Sequence, residues 1–179
     1  MEFWDIYDEN KQLTGRMMKR NDWCLKNGEY HLTVLGVVAR PDGEFLITKR
    51  VMTKAWAPGW WEVSGGAAQA GEDSYEAVLR EVKEETGYTL TSYRFCGIVT
   101  FVSGNGVTEY MHLFTADGFE GEPIACDEGE LEWVDIDKIE SLHIWEGDKI
   151  FFRLLNQQRP WFSLKLVYEG DTLTQAVLD

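Results

Sequence analysis

Residues 65–88 read Gly65-Gly66-Ala67-Ala68-Gln69-Ala70-Gly71-Glu72-Asp73-Ser74-Tyr75-Glu76-Ala77-Val78-Leu79-Arg80-Glu81-Val82-Lys83-Glu84-Glu85-Thr86-Gly87-Tyr88. Asp73 with Glu76 three positions on has the spacing of a capping box. Gly87 stands where a left-handed helix end belongs. Together they predict a helix over 74–86. On it Glu81, Glu84 and Glu85 fall at i, i+3 and i+4, within an arc of roughly 100°. Tyr75, Val78, Leu79, Val82 and Thr86 occupy a neighbouring arc that can pack on a sheet. The three carboxylates repel one another, and they lie toward the helix C-terminus, where the macrodipole disfavours anions. A hard divalent cation such as Mg²⁺, which takes oxygen ligands, would compensate them. Glu72, just before the cap, is placed to brace the helix through Arg80. An acidic helix face taken alone is most often solvated surface; glycines, caps and acids in one string argue for more.

Outward from this segment, residues 1–29 are mixed and polar. Leu32 to Ala39, the Pro41-Asp42-Gly43 turn signal and Phe45 to Thr48 predict a hairpin. Residues 51–59 read as a loop and Trp60 to Val63 as a short strand. Tyr93 to Val102, Gly104-Asn105-Gly106 and Val107 to Ala116 predict a second hairpin. An acidic loop over 118–129, a short strand over 131–135, a helix over 148–157 and a terminal hairpin over 161–179 complete the chain. Strands with few helices point to an α/β (α+β) fold, and 179 residues to a single domain, 1–179.

The chain carries 17 basic and 31 acidic residues, a net charge of -14. Nucleic-acid and anionic-membrane partners are therefore not expected, since both need clustered Lys and Arg. Cys24, Cys96 and Cys126 are odd in number and lack zinc-site spacing, which fits a reducing compartment. The first residues do not read as a signal peptide, and no apolar run is long enough to span a bilayer. A cytoplasmic location is expected.

The stretch Gly66 to Tyr88 resembles the Nudix box: Gly, five residues, Glu, seven residues, Arg-Glu, an aliphatic, one residue, Glu-Glu, one residue, Gly and an aliphatic. Gly66, Glu72, Arg80, Glu81, Val82, Glu84, Glu85 and Gly87 all match, and Tyr88 replaces the final aliphatic. The likeness covers roughly 30–140. It implies an αβα sandwich around a mixed sheet and hydrolysis of a nucleoside diphosphate linked to another moiety, or a related organic diphosphate. It implies Mg²⁺, with Mn²⁺ as substitute, on Glu81, Glu84, Glu85 and the Gly66 carbonyl, with Glu72 and Arg80 bracing the site. A further acid is expected from the acidic loop, Glu128 in preference to Asp127. Glu84, Glu85 and Glu128 are all candidates for the catalytic base. A homodimer is a family-level expectation.

Residues 2–16, 28–50 and 54–66 also look like the subgroup related to isopentenyl-diphosphate isomerases. Those enzymes use a catalytic Cys and a metal-binding His, whose positions fall on Gly65 and Ala67; only His31 matches a second metal-binding His. An isomerase-like enzyme is therefore an alternative, as is a non-catalytic nucleotide-binding sensor, although no box carboxylate is lost. Arg50, Trp60 and Asp127 are candidates for binding substrate. Trp4, Trp56, Trp61 and Trp145 are further stacking candidates, though most tryptophans are core or loop anchors. Arg40, Lys49, Arg16, Lys19 and Arg20 could meet phosphates or lie on solvated edges. His112 and His143 have no partners at motif spacing.

Overall fold

The computed structural model describes residues 1–179. In chain order the strands and helices are β1 (Phe3–Tyr7), β2 (Leu13–Lys19), β3 (Thr33–Val38), β4 (Glu44–Arg50), β5 (Trp61–Glu62), β6 (Ser64–Ala67), α1 (Ser74–Thr86), β7 (Thr89–Ser103), β8 (Thr108–Glu120), β9 (Gly129–Asp135), α2 (Ile136–Ile139), α3 (Glu146–Asn156), β10 (Phe162–Glu169) and β11 (Thr172–Leu178).

The central sheet has six strands in the order β11-β10-β7-β8-β3-β6. It is mixed: β10 runs parallel to β7 and β3 parallel to β8, and the other pairs are antiparallel. A three-stranded sheet, β5-β4-β9, lies beside it, and β1 and β2 form a separate ribbon. Alternation along β3 divides the core. Val34 and Val38 join Ala77, Val78 and Val82 of α1 in one apolar cluster. Val37 joins Phe45 and Ile47 of β4 and Phe151, Phe152 and Leu155 of α3 in the other. Helices thus cover both faces of the mixed sheet, as expected for an α+β sandwich.

Helix α1 occupies the predicted residues. The Asp73 carboxylate accepts the Glu76 N–H at 2.9 Å, and Glu76 accepts the Asp73 N–H at 3.0 Å. Gly87 closes the helix at φ 84°, a left-handed conformation that costs a glycine little. Ala77, Val78, Val82 and Thr86 are buried. Tyr75 stays exposed, its ring edge against Phe114.

Three expectations need correction. The first predicted hairpin opens into two sheets. The turn forms, and Ala39 bridges Phe45, but β4 then pairs with β9 and β5. Both edges of β3 are taken by β8 and β6, which leaves none for β4. The strand expected over 60–63 is two residues long, and a further strand, β6, carries the glycines into the helix. The polar N-terminus contains the β1–β2 ribbon, whose Trp4, Ile6 and Met18 form a small core of their own. The second hairpin exists and is longer than expected, with β8 reaching into the acidic loop, and the terminal hairpin is β10–β11. The three cysteines are free. No helix is long and apolar enough to cross a membrane.

Candidate active site

Strand β6 and helix α1 meet at a cleft of about 550 Å³. Gly65, Gly66 and Ala67 form one wall and Glu81, Glu84 and Glu85 of α1 another. The acidic loop contributes Asp127 and Glu128, and the segment between β4 and β5 contributes Lys54 and Trp56. Trp4 of β1 and the flanking Glu2 and Arg20 also line the cleft.

Arg80 organises the loop before α1. Its Nε and Nη2 donate to the two oxygens of Glu72 at 2.7 and 2.9 Å, a forked pair. Nη2 also donates to the Ala67 carbonyl at 3.1 Å, and the Gln69 N–H donates to Glu72 at 2.9 Å. Burial works against ionisation of Glu72, but the Arg80 and Gln69 hydrogen bonds outweigh it and hold its pKa below the usual carboxylate range. The same pair raises the pKa of Arg80, chiefly through the Glu72 hydrogen bond. One guanidinium therefore ties the glycine strand, the loop and the helix together.

The three helix glutamates differ. Glu84 is largely exposed and Glu81 is not; both accept from Arg80 Nη1, at 3.2 and 2.8 Å. Glu85 meets no cation. It accepts the Gly65 N–H at 3.2 Å. Burial, and then the charges of Glu81 and Glu62, push its pKa up to about 8. Burial also raises Glu81, against the pull of Arg80. Glu62 is raised by burial despite its 2.6 Å ion pair with Arg50. Glu128 is paired with Lys54 at 2.8 Å.

The donor set suits a hard divalent cation. It consists of carboxylate oxygens with a backbone carbonyl beside them, and a side chain at Gly66 would enter the space that the Glu81 carboxylate fills. As the side chains stand, no three acidic, His or Cys residues are gathered as a ligand set. Arg80 holds Glu81 and Glu84 by hydrogen bonds, so a cation would have to compete with it for those oxygens.

The structure brings Gly66, Glu72, Arg80, Glu81, Glu84, Glu85, Arg50, Asp127 and Glu128 to this one cleft. Trp60 is not among the residues that line the cleft; its ring lies 3.9 Å from that of His143 and 4.4 Å from that of Trp145. Neighbours in an extended segment project to opposite sides, so Trp61 packs on the core and Trp60 is taken up by His143 and Trp145. Trp56 faces the cleft instead, stacked on Trp145 at 5.7 Å. His31 stacks on Trp4 at 4.9 Å, and burial lowers its pKa, which marks it as a packing residue. Glu62 and Lys54 were missed. Glu62 stands in the segment leading to the glycines, but nothing in its spacing sets it apart, and Lys54 sits in a loop without pattern.

A model of the NUDIX domain matches residues 29–155. Over 150 residues the chain is 33% identical to an oxidized purine nucleoside triphosphate hydrolase of Danio rerio, covering 83% of this chain and 94% of that protein. It is 38% identical over 113 residues to the nucleoside triphosphatase NudI of Salmonella heidelberg, covering 57% of this chain and 80% of the relative. Among solved structures, a MutT protein of Bacillus halodurans superposes with a TM-score of 0.74 at 28% identity, covering 83% of this chain and 97% of the other. With the box residues gathered around one cleft and this breadth of likeness, the chain belongs to the Nudix hydrolase family.

Proposed function

We propose that this hydrolase cleaves a diphosphate bond in a nucleoside triphosphate or related organic diphosphate with Mg²⁺, Mn²⁺ serving as substitute. The observation that carries the reading is the Glu81–Glu84–Glu85 ridge set against Gly66 in a cleft that also holds Arg50 and Lys54. The names of the Danio rerio and Salmonella relatives support a nucleoside triphosphate as substrate.

A bound divalent cation supplies charge neutralisation for the diphosphate and acidifies a water. Glu81, Glu84, Glu85 and the Gly66 carbonyl would hold it. Arg80 and Glu72 keep those donors in place, because their fork fixes the loop against α1. Arg50 and Lys54 lie on the rim, where a phosphate can compete with Glu62 and Glu128 for them. Glu84, Glu85 and Glu128 are the carboxylates available to take the proton of the attacking water. Residues 1–179 act as one unit in this reading, since Trp4 of β1 and the flanking Glu2 and Arg20 line the same cleft as the box residues. Three free cysteines fit a cytoplasmic setting.

The isomerase-like alternative would need a thiol where Gly65 stands and an imidazole where Ala67 stands, and the sensor alternative would be supported by a lost box carboxylate, so neither gains an observation. The test is a Mg²⁺-dependent screen of nucleoside triphosphates, dinucleotides, nucleotide sugars and isopentenyl diphosphate, read by released phosphate and monophosphate. Hydrolysis that disappears with chelator is expected. Turnover of isopentenyl diphosphate to its isomer, or binding without turnover, would overturn the reading.

A further inference from the structure

The likeness to the NUDIX domain spans residues 29–155, so the β1–β2 ribbon lies before the segment that carries it. Strand β1 pairs with β2 along one edge. Along its other edge it is tied to the rest of the chain at two places. At its end, Tyr7 and Tyr30 exchange backbone hydrogen bonds at 2.8 and 2.9 Å. At its start, the Phe3 carbonyl accepts the Ala70 N–H at 2.7 Å, and the Asp5 carboxylate accepts the Gly71 N–H at 2.7 Å. Ala67 also packs on the small core of Trp4, Ile6 and Met18.

Ala70 and Gly71 stand in the loop between β6 and α1, the loop that sets Gly66 against the glutamate ridge. Arg80 grips this loop at Ala67 and Glu72. Glu72 accepts the Gln69 N–H, and the Leu32 carbonyl accepts the Ala68 N–H. None of these ties reaches residues 70 and 71. Gly71 is left-handed at φ 88°, and no atom lies within 4 Å of the place a side chain would take. Packing therefore does not hold it on that side. Its tie is the bond to Asp5, and a hydrogen bond with an ionised acceptor is about twice as strong as a neutral one.

A purely structural account needs only that the ribbon be attached. The Tyr7–Tyr30 pair and the packing on Ala67 already attach it. The Asp5 carboxylate adds a contact aimed at one backbone N–H, immediately before the glutamate that Arg80 grips. The fork and the ribbon thus hold the same loop from two directions.

We propose that Asp5 is a positioning residue for the hydrolysis: through Gly71 it holds the β6–α1 loop, so that Gly66 and the Glu72–Arg80 fork keep their places beside the ridge. The ribbon is then part of the hydrolytic machinery, although it lies outside the box. The assignment rests on the phosphohydrolase reading above.

The test compares Asp5→Ala and Asp5→Asn with the parent on a triphosphate that the parent hydrolyses, with saturating Mg²⁺. Asp5→Ala removes the acceptor. It is expected to lower kcat by about tenfold or more and to change KM by less than about threefold, because a loosened loop misplaces the reacting groups while Arg50 and Lys54 stay. Asp5→Asn keeps an oxygen acceptor and should stay within about threefold of the parent. Thr14→Val is the control. It removes the 2.8 Å bond from the Thr14 hydroxyl to the Ile6 carbonyl, within the ribbon, and should lower the melting temperature without changing kcat. Calorimetric titration with Mn²⁺ alone needs no turnover, and Asp5→Ala should bind it about threefold or more weakly than the parent and Asp5→Asn. A folded Asp5→Ala that keeps the parent's kcat or Mn²⁺ affinity would overturn the proposal. So would an Asp5→Asn no better than Asp5→Ala, or a Thr14→Val that loses as much kcat. An Asp5→Ala that does not fold would overturn it as well, by showing a structural role. If the parent hydrolyses no triphosphate, the phosphohydrolase reading fails, while the Mn²⁺ titration still decides Asp5.

Discussion

A side-chain carbon on Gly66 would lie 2.7 Å from Glu81 Oε1 and 2.8 Å from its Cδ. The glycine of the box is thus matched to the first glutamate of the ridge across the cleft, and the fit leaves no room for a methyl group. Gly66→Ala should push the Glu81 carboxylate off its position. Displacements of about 1 Å at a reacting site cost about a hundredfold. Steady-state kinetics should show that loss in kcat/KM, while the circular dichroism spectrum stays that of the parent.

Glu85 is the ridge carboxylate without a cation. Glu85→Gln should lower turnover by about a hundredfold or more and leave the fold intact. Unchanged activity in this variant would count heavily against the site.

The raised pKa values of Glu85 and Asp148 also set a pH dependence. Each group holds its proton in the folded chain to about 8, whereas unfolded carboxyls release theirs near 4. The stability tied to that proton is full below the unfolded value and is lost as pH rises toward about 8. In chelator, urea denaturation at pH 5 and pH 8.5 should show the parent losing more stability than Glu85→Gln or Asp148→Asn. A parent and variants that fall together would contradict both assignments.

Added Mg²⁺ should reverse part of this loss. A cation needs Glu85 deprotonated, so metal affinity should strengthen as pH rises toward about 8. Thermal melts with and without Mg²⁺ at several pH values measure it; a metal effect that weakens across that range would argue against Glu85 as ligand.

Arg80→Lys replaces a forked pair by a single point charge. Loss of the two-oxygen contact to Glu72 should destabilise the chain by about 2 kcal/mol, and activity should fall with it because the glycine strand loosens from α1. Equilibrium denaturation and kinetics on the same preparation test both parts.

The helix was readable to the residue because everything that makes it is local. Asp73, Glu76 and Gly87 act within one turn of the helix ends they cap, and the ridge follows from helical spacing alone. The β3–β4 hairpin was misread because its turn is also local, and the turn did form. Whether the strands beyond it stayed together depended on β8 and β6, which claim both edges of β3. The β1–β2 ribbon was overlooked because its polar, exposed residues give a weak alternation, with burial concentrated at Trp4, Ile6 and Met18.

The sequence by itself determined the helix, its caps, the glutamate ridge, the Arg80–Glu72 brace and, through the box, the family. Those rest on backbone geometry that repeats over three or four residues. Tertiary structure alone decided that Lys54 would meet Glu128 across 74 residues, that Trp56 and not Trp60 would face the cleft, and that Glu109 and Asp148 would line one cavity. Such meetings depend on sheet order, on strand register and on which face each strand turns inward, and residue types along a single chain carry little of that information.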